Sequence, residues 1–488
     1  MASINDEVDD PLLEPVYHEN CPGCKVDRQK RIQTGLPIKE LVFIWIIVLC
    51  VALPISSLFP FLYFMVRDFN IAEKEEDISY YAGFVGSSYM IGRALTSVFW
   101  GVVADRYGRK PVILLGTSTV VIFNTLFGFS VNYRMAIITR FLLGFLNGLL
   151  GPIKAYASEL FPERHQALGL SSISTSWGIG LIFGPALGGF LAQPAEKFPS
   201  LVSSDSLFGR FPYLLPCLCI SIFAFVVTIA AFWLPETLHF HKTDELESAS
   251  DHIPGAEKKL DEKKDSTLIS LLKNWPLMSS IIVYCVFSLH NMAYSEIFSL
   301  WAETPKSLGG LNFSTDDVGT VLSITGVGLL LFQTSLYPFA ERMFGPVVVA
   351  RISGVLTIPV LTAYPYIALL SGFMLTFTLN FASILKNVLS VSIITGTFIL
   401  QNNAVEQHQR GAANGISMTL QSICKAIAPA CGGTLLSWSL KRKNTTFLPG
   451  VHMIFFILNV IEGLGVLLTF KPFLSKRPLL VGSTRNRV

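Results

Sequence analysis

The stretch "WGVVADRYGRK" (residues 100–110) ends one long apolar segment and leads into the next. Its glycine at 101 lets two helix backbones approach closely, because it carries no side chain. Asp105 is a carboxylate at a helix end among several cations, and such a group forms charge-assisted hydrogen bonds. A basic membrane anchor with one compensating acid is the alternative. We predict a conformational gate here, made by Gly101, Asp105, Arg106, Gly108, Arg109 and Lys110.

The chain around this stretch is too apolar for a soluble protein. Of its 488 residues, 51% are hydrophobic and only 15% are charged. About 20 apolar residues span a bilayer as a helix, and lipid admits only helices or closed barrels because every backbone polar group must be paired. The apolar runs are too long for barrel strands. We therefore predict an all-α membrane protein, and no nucleophile triad, phosphate loop or clustered metal-ligand motif points to an enzyme.

Twelve apolar segments predict twelve transmembrane helices. They cover residues 41–66, 79–103, 112–130, 135–160, 168–192, 211–234, 276–302, 316–341, 346–371, 373–401, 411–438 and 449–471. A long hydrophilic insert follows the sixth segment, and its charge and low aromatic content indicate a mostly disordered linker. The predicted domains are a cytoplasmic segment at 1–40, six-helix halves at 41–234 and 276–471, the linker at 235–275 and a tail at 472–488.

Charge placement predicts the orientation in the membrane. Lys and Arg cluster in the N-terminal segment, the loop at 104–111, the linker and the tail, so the positive-inside rule makes both termini cytoplasmic. Two glycosylation sequons, at Asn312 and Asn444, fall on the opposite side. No cleavable signal peptide is expected before the first span. The stretch "DDPLLEP" (9–15) is similar to an acidic dileucine sorting signal, which favours the vacuolar membrane over the plasma membrane.

A second motif, "SSISTSWGIGLIFGPALGG" (171–189), lies in the fifth span. Three of its glycines recur every four residues, so they share one helix face and let a neighbouring helix approach. Its proline removes a helical hydrogen bond and predicts a bend. Plain packing of small residues is the alternative to a gating role. We predict that role for Gly180, Gly184, Pro185, Gly188 and Gly189.

The two halves of the chain repeat one another in the same order. The stretch "ADRYGRKP" (104–111) after the second span is echoed by "AERMFGP" (340–346) after the eighth. "GPALGG" (184–189) in the fifth span is echoed by "APACGG" (428–433) in the eleventh. Echoes in the same order indicate a parallel repeat of two six-helix halves.

Ionisable residues inside the spans mark the candidate transport pathway. The cations are Arg93, Arg140, Lys154, Lys386 and Lys425, and the other titratable groups are His290, Glu296 and Glu462. A charge at the bilayer centre costs about 2.5–3.5 kcal/mol, so it normally faces the bundle interior or water. The cations outnumber the acids, which favours a cavity receptive to carboxylate groups.

Three polar residues of the fourth span recur at two-turn intervals. At about 100° per residue, Arg140, Asn147 and Lys154 fall within roughly 40° of one another, which predicts one polar stripe along a continuous helix. Pro152 can bend the helix there. Alternatively, Lys154 snorkels to the interface or pairs with Glu159.

These residues and their neighbours divide into two predicted roles. Substrate binding is assigned to Arg140, Asn147, Lys154, Tyr284, Asn291, Lys386, Asn387 and Lys425. Proton coupling is assigned to His290, Glu296 and Glu462, since histidine titrates near neutral pH and a buried glutamate can do so. A helix-packing role for His290 is the alternative.

The motif at 100–110 matches the loop signature G-x-x-x-D-R-x-G-R-K of the major facilitator superfamily, and 171–189 matches the antiporter signature of its drug:proton antiporter branch. "CPGC" (21–24) and "PETLHFH" (235–241) resemble the plant zinc-induced facilitator-like family, and the similarity covers essentially the whole chain. The resemblance implies twelve helices in two pseudo-symmetric halves that rock about a central site. It also implies proton-coupled efflux of aminocarboxylate chelators such as nicotianamine or phytosiderophores.

The resemblance also implies what the protein acts with. The expected partners are a small-molecule substrate, protons and the lipid bilayer, with no nucleic acid, no cofactor and a monomeric state. Arg140 occupies the position of a fourth-helix arginine of proton-coupled members, although Leu143 replaces the usual glutamine. Some relatives are linked to potassium or caesium, so a monovalent cation/proton antiporter stays open, as does a non-transporting membrane sensor. The excess of cations argues against the first, and the intact motifs argue against the second.

The residues Cys21, Cys24, His239 and His241 invite comparison with a zinc site. A structural zinc ion needs about four ligands in one place, whereas these residues lie on two segments distant in sequence. We therefore expect transient metal sensing or no binding, and we assign no metal ligand.

Overall fold

The computed structural model describes residues 18, 21–32, 35, 37–239, 270–405, 410–442 and 445–474. Every regular element in these ranges is a helix. The dileucine-like stretch, His241 and Asn444 lie outside the described residues, so the structure does not bear on the predictions made for them.

Twelve long helices, labelled α1 to α12, form the bundle. They are α1 (Ile38–Ser56), α2 (Glu75–Tyr107), α3 (Arg109–Gly128), α4 (Tyr133–Leu160), α5 (Glu163–Leu191), α6 (Leu214–Ala231), α7 (Trp275–Glu303), α8 (Thr315–Phe344), α9 (Pro346–Ile367), α10 (Gly372–Asn403), α11 (Arg410–Lys441) and α12 (Val451–Leu468). Shorter helices cover Pro22–Ile32, Leu62–Asp68, Pro194–Lys197, Leu207–Arg210 and, as a 3-10 turn, Lys306–Leu308. A π-helical turn interrupts α3 at Val120–Asn124 and α8 at Phe332–Leu336.

The helix count agrees with the sequence. Within the described ranges, ten helices are long and apolar enough to cross a membrane by length and composition alone. The other two, α2 and α11, carry Arg93 and Lys425 and pack against each other within the bundle. Each of the twelve predicted spans thus coincides with a helix, and the prediction of an all-α, twelve-helix fold is confirmed.

Side-chain caps and glycine turns fix several helix ends. Asn132 accepts a hydrogen bond from a backbone amide in the first turn of α4, and Ser314 forms a capping box with Asp317 at the start of α8. Gly108 (φ 109°) joins α2 to α3, and Gly345 (φ 76°) joins α8 to α9. Positive φ strains residues that carry a Cβ, so both turns favour glycine. The loop at 104–111 and its copy at 340–346 therefore both turn at a glycine with positive φ.

The fourth span is not one continuous helix. The helix stops before Asn147, whose φ of −93° and ψ of 75° are not helical, and it resumes at Leu150. The carbonyl oxygen of Phe145, next to the break, accepts hydrogen bonds from Trp100 Nε1 (2.9 Å) and Thr96 Oγ1 (2.7 Å) of α2. The predicted polar stripe assumed an unbroken helix and is therefore wrong, because the break rotates the second half of α4 relative to the first.

The break does not coincide with the proline. Pro152 lies in the first turn of the second half of α4, where its missing N–H has no helical partner to lose. The interruption lies at Gly148 and its neighbours, and a side chain at this glycine would overlap the ring of Trp100. Close packing of α2 against α4 is thus associated with the break.

One face of α5 packs against α1 through glycines. A side chain at Gly184 would overlap the hydroxyl of Ser56, and one at Gly188 would overlap the carbonyl oxygen of Ser57. Ser56 Oγ also donates a hydrogen bond to the carbonyl oxygen of Gly180 at 2.8 Å. The glycine face predicted from the spacing is present, and its partner is α1.

A second contact of α5 reaches the other half of the molecule. Gly189 lies against Gly319 of α8, and the carbonyl oxygen of Pro185 lies against the same glycine. The equivalent contact joins Gly433 of α11 to Gly83 of α2. These two glycine pairs hold the six-helix halves together, as expected when "GPALGG" and "APACGG" are copies in a parallel repeat.

The bundle is closed at one end. The end that carries the loop between α2 and α3 is named the motif end, and the opposite one the far end. At the far end Asp77 of α2 forms an ion pair with Lys441 of α11, and Lys197 lies 3.3 Å from Asp316 of α8. Asn312, one of the sequon residues, also lies at the far end, in the connection between α7 and α8.

Two glycines of α2 and α11 lie in open space near the motif end. A side chain at Gly101 of α2 or at Gly415 of α11 would meet nothing within 4 Å. The sequence predicted that Gly101 allows two helix backbones to approach closely, and the described residues make no such contact at Gly101 in this conformation. We infer that the halves separate towards the motif end, and we call the space between them the cleft.

Candidate functional site

The loop between α2 and α3 is held by ion pairs and hydrogen bonds. Arg109 forms an ion pair with Asp105, and its Nη2 atom lies 2.9 Å from Oε1 of Glu159 on α4. The carboxylate of Glu236, which follows α6, accepts hydrogen bonds from the backbone amides of Arg109 (2.9 Å) and Lys110 (3.0 Å). Asp105 and Glu159 belong to the N-terminal half, and Glu236 lies at the start of the linker that follows it. The loop therefore joins α2, α3, α4 and the end of α6 to one another.

The other predicted gating residues of this loop have partners in the same half or at the start of the linker. A side chain at Gly108 would overlap the carboxylate of Glu236. Lys110 Nζ donates a hydrogen bond to the carbonyl oxygen of Phe232 at 2.7 Å, and the guanidinium of Arg106 lies 5.9 Å from the ring centroid of the next residue. Among the contacts of the described residues, none of these joins the loop to the C-terminal half, which agrees with an open motif end.

Three cations lie on helices from both halves, and Lys154 of α4 reaches across to α11. Arg93 of α2, Lys154 of α4 and Lys425 of α11 are close enough to interact electrostatically with one another. Lys154 is exposed, and the other two are half-buried. Lys154 Nζ lies 3.4 Å from the sulfur of Met418 on α11 and forms no ion pair with Glu159, which is bound to the loop instead. We name Arg93, Lys154 and Lys425 the cation cluster.

Two of the predicted substrate-binding residues on α4 do not line this cleft. Arg140 is only 2% exposed, and its Nη1 atom donates to the carbonyl oxygen of Pro54 at 2.9 Å. Its guanidinium lies 5.2 Å from the ring centroids of both Tyr89 and Phe127. Asn147 is buried and faces α3. Of the three residues in the expected stripe, the structure brings only Lys154 to the cleft.

Glu296 lies where the two halves meet. It belongs to α7, is 1% exposed, and its carboxylate faces Gly86 of α2 in the other half. Neither carboxylate oxygen has a hydrogen-bond partner among the described residues. Arg140 interacts with it electrostatically without forming an ion pair. A buried polar group without a partner is rare in folded proteins and calls for a functional explanation.

A buried polar cluster forms inside the C-terminal half. His290 Nδ1 of α7 lies 3.0 Å from Glu462 Oε2 of α12, and each side chain is 1% exposed. Lys386 of α10 donates a hydrogen bond to Asn291 Oδ1 at 2.8 Å, and its Nζ lies 3.5 Å from the ring centroid of Tyr294. The structure therefore brings together four predicted residues from three helices. All four belong to the C-terminal half, where His290, Lys386 and Glu462 are buried and Asn291 is half-buried.

The two remaining predicted residues have separate partners. The hydroxyl of Tyr284 accepts a hydrogen bond from Gln421 Nε2 of α11 at 2.7 Å, and the same nitrogen lies 3.1 Å from the hydroxyl of Ser288. Asn387 donates to the carbonyl oxygen of Ser383 one turn earlier on α10, at 2.9 Å. Tyr284 therefore connects α7 to α11, whereas Asn387 bonds only within its own helix.

Several residues of the site were not among the predicted site residues. They are Arg93, Glu159, Glu236 and Gln421. Glu236 follows α6, on the same side of the bundle as the basic loop between α2 and α3. A contact between this acid and that loop could therefore have been predicted from the sequence. Arg93 was recognised as an intramembrane cation, but its partners come from α4 and α11, and sequence spacing cannot show which helices are neighbours.

The structure also brings two distant segments together near the motif end. Cys21, Cys24 and His239 each offer one ligand atom, and these three atoms lie within 4.8 Å of one another. The two segments are distant in sequence, and no metal ligand was predicted in them. Within the part of the chain that the structure describes, these three residues are the group of side chains that could hold a metal ion.

The family model described as Major Facilitator Superfamily matches residues 44–429. The chain belongs to the major facilitator superfamily. It is 63% identical to the protein Zinc Induced Facilitator-Like 1 of Arabidopsis thaliana, over 96% of this chain and 99% of that protein. It is 59% identical to Zinc Induced Facilitator 1 of the same plant, over 96% of this chain and 99% of that protein.

Solved structures agree with this membership. The crystal structure of a D-xylose-proton symporter has a TM-score of 0.67 and 15% sequence identity, and the match covers 88% of this chain and 96% of that one. At this identity the likeness shows the fold alone. The predicted membership of the zinc-induced facilitator-like family is thus confirmed by the sequence relatives, and this facilitator is a multi-pass membrane transporter.

Proposed function

We propose that this facilitator is a proton-coupled secondary transporter that exports a small aminocarboxylate metal chelator, of nicotianamine or phytosiderophore type, and so contributes to zinc and iron homeostasis. The observation that carries the proposal is the cation cluster in a cleft open at the motif end. Three like charges repel one another, so anionic groups between them stabilise the cluster. A chelator with several carboxylates supplies such groups in one small molecule.

The orientation follows from the basic loop. The positive-inside rule places the motif end in the cytosol, so the cleft is open to the compartment from which export begins. The vacuolar membrane is the proposed location, based on the dileucine-like stretch at 9–15. The names of the Arabidopsis relatives support a link to zinc and do not name a substrate.

Proton coupling is assigned to Glu296. Burying an unpaired carboxylate is costly, and a proton on Glu296 removes that cost while α7 and α2 are packed together at Gly86. Loss of the proton to the cytosol, followed by chelator binding at the cation cluster, then favours separation of the halves at the far end. The pair of His290 and Glu462 is a second candidate for proton exchange.

The buried cations Arg140 and Lys386 are proposed to act on the carboxyl groups near them and not on the chelator. Arg140 interacts with Glu296 electrostatically, and Lys386 interacts in the same way with Glu462. Each cation therefore responds to the charge of a proton-coupling carboxyl group in its own neighbourhood. Direct contact with the chelator is assigned to the cation cluster, which is accessible from the cleft.

Flux measurements in proteoliposomes test the proposal. Labelled nicotianamine, a labelled phytosiderophore and potassium are offered separately under an imposed pH gradient. We expect chelator flux coupled to proton movement in the opposite direction. Potassium flux without chelator flux would instead identify a monovalent cation/proton antiporter, and the absence of any substrate-dependent proton flux would favour a membrane sensor.

Removing one charge of the cation cluster gives a sharper test. Lys425→Gln is expected to raise the KM for the chelator about tenfold or more, because a hydrogen bond to a charged group contributes about 1.5–3 kcal/mol. Arg134→Gln, at the exposed far-end start of α4, is the matched control and should leave KM unchanged. Equal KM values for Lys425→Gln and the wild type would rule out the cluster as the substrate site.

A further inference from the structure

Cys21, Cys24 and His239 form a compact group that the proposed transport cycle does not use. Both cysteines are 5% exposed, and they flank the start of the helix Pro22–Ile32. His239 lies beyond α6, within the predicted linker, and is the last residue described before residue 270. Each cysteine sulfur lies 3.8 Å from Nδ1 of the histidine.

These distances fit a tetrahedral zinc ion. Zinc binds cysteine sulfur at about 2.3 Å and histidine nitrogen at about 2.0 Å, which places a sulfur and a nitrogen ligand roughly 3.5 Å apart across a tetrahedral angle. Both observed distances are close to this value. Little movement of the three side chains would therefore be needed to bind the ion.

A neighbouring carboxylate orients the histidine. Asp27 Oδ2 lies 3.1 Å from Nε2 of His239, and Lys30 Nζ in turn donates to Asp27 Oδ1 at 2.9 Å. A carboxylate that holds one ring nitrogen fixes the proton there and leaves the other nitrogen to bind a metal. Here the nitrogen left over is Nδ1, the atom that faces both sulfurs.

The backbone supports the same arrangement. The amide of Gly23 donates a hydrogen bond to the carbonyl oxygen of Leu238 at 3.2 Å, which pins the N-terminal helix to the chain after α6. A side chain at Gly23 would lie 2.8 Å from the imidazole of His239. The glycine between the two cysteines is therefore what allows the histidine to approach them.

We propose that Cys21, Cys24 and His239 bind one zinc ion. Two thiolates and an imidazole favour a borderline-soft cation such as zinc over calcium or magnesium. This inference goes beyond the transport function and does not depend on it.

The position of the site indicates what the ion would control. Glu236, which holds the loop between α2 and α3, is three residues before His239, and the hydroxyl of Thr237 donates to Glu159 at 2.6 Å. A bound ion would fix the N-terminal helix against this segment. Zinc would thereby stabilise the ion-pair network at the motif end.

Metal analysis of the purified full chain tests the site. The protein in detergent is equilibrated with Zn²⁺ or Co²⁺ and freed of excess metal, and the metal content is measured by mass spectrometry. We expect one ion per chain, and a Co²⁺ absorption spectrum with thiolate charge-transfer bands. Both should be lost in Cys21→Ser with Cys24→Ser and in His239→Ala, while Cys431→Ser, which removes an exposed thiol of α11, should keep them.

A milder substitution distinguishes a loss of metal binding from misfolding of the protein. Asp27→Asn keeps all three ligands and should weaken metal affinity about 10- to 100-fold, as expected when a second-shell partner is lost. A wild-type chain that binds no metal, or a double cysteine variant with unchanged metal content, would overturn the proposal. Because the readout is metal content and not flux, failure here would leave the transport proposal untouched.

Discussion

Glu296 combines burial, a carboxylate without a hydrogen-bond partner and a position between the two halves. Ionisable groups within a bilayer are expensive and usually mark ion or proton pathways. In the proposed cycle, a change of charge on Glu296 acts on the packing of α7 against α2, and so on the contact that keeps the far end closed. Under that proposal a single proton influences the conformation of the whole transporter.

Replacing this carboxyl group with an amide separates coupling from binding. Glu296→Gln is expected to reduce uptake driven by a pH gradient to the level of protein-free liposomes, because the amide cannot carry the proton. Exchange of labelled for unlabelled chelator without a gradient should persist, since the cation cluster is intact. Glu75→Gln, at the exposed start of α2, is the control. Wild-type uptake under a gradient in Glu296→Gln would exclude this role.

The sequence predicted which charges lie inside the bundle but not which way they face. Arg140 and Lys154 were expected on one stripe, yet one is packed inside the N-terminal half and the other faces the cleft. The break at Asn147 causes this difference. It depends on hydrogen bonds that Trp100 and Thr96 of α2 donate to α4, and such long-range contacts leave no periodic pattern in the sequence.

Among the elements, the loop between α2 and α3 is held both by ion pairs and by hydrogen bonds from its backbone. Glu236 accepts hydrogen bonds from the first two backbone amides of α3, which have no partner within the helix. It thereby acts as a cap supplied by a different segment of the chain. The loop motif alone predicted a charged gate, but this capping acid lies more than a hundred residues away and becomes visible only in the fold.

Removing the charge of this cap should weaken the N-terminal half. Glu236→Gln is expected to lower the free energy of unfolding by about 1–3 kcal/mol, since charge-assisted hydrogen bonds are lost. Thermal unfolding of the detergent-purified protein measures the change. Glu73→Gln, an exposed acid in the connection before α2, is the matched substitution. A melting temperature that shifts no more than in this control would contradict the capping role.

Two glycines of α11 provide a paired test of helix packing. Gly433→Ala should destabilise the protein by about 1–3 kcal/mol, because the added methyl group overlaps the carbonyl oxygen of Ser79 in α2. Gly415→Ala lies in the same helix and meets nothing within 4 Å, so it should be neutral or stabilise by up to about 1 kcal/mol. Melting temperatures that fall equally in both variants would show that the contact contributes nothing specific.

For the whole molecule, the closed far end and the open motif end define one conformation of a rocking transporter. The fold class and the repeat could be predicted from the sequence, because apolar run length and echoed motifs are local features. The cleft could not be predicted from the sequence. It depends on how far α2 and α11 separate, and the sequence of neither helix determines that distance. Gly101 shows the consequence, since its motif is intact while a side chain there would meet nothing within 4 Å.

Locking the far end should stop transport. Ser437 Oγ and Asp77 Oδ1 are 3.2 Å apart, so a chain with Asp77→Cys and Ser437→Cys, in a Cys431→Ser background, should form a disulfide on oxidation. We expect flux to cease on oxidation and to return on reduction. The pair Gly101→Cys and Gly415→Cys, at the open motif end, should form no disulfide in this conformation. Full flux through the oxidised far-end pair would disprove rocking about this contact.

The two glycine pairs between the halves also have a genetic consequence. Every base change at the first or second position of a glycine codon encodes a larger residue or a stop. At Gly83, Gly189, Gly319 and Gly433 the partner is another helix backbone, which cannot be replaced by a smaller residue. Such a change therefore has no compensating substitution in the partner. Inherited variation at these four codons therefore has little room to be tolerated.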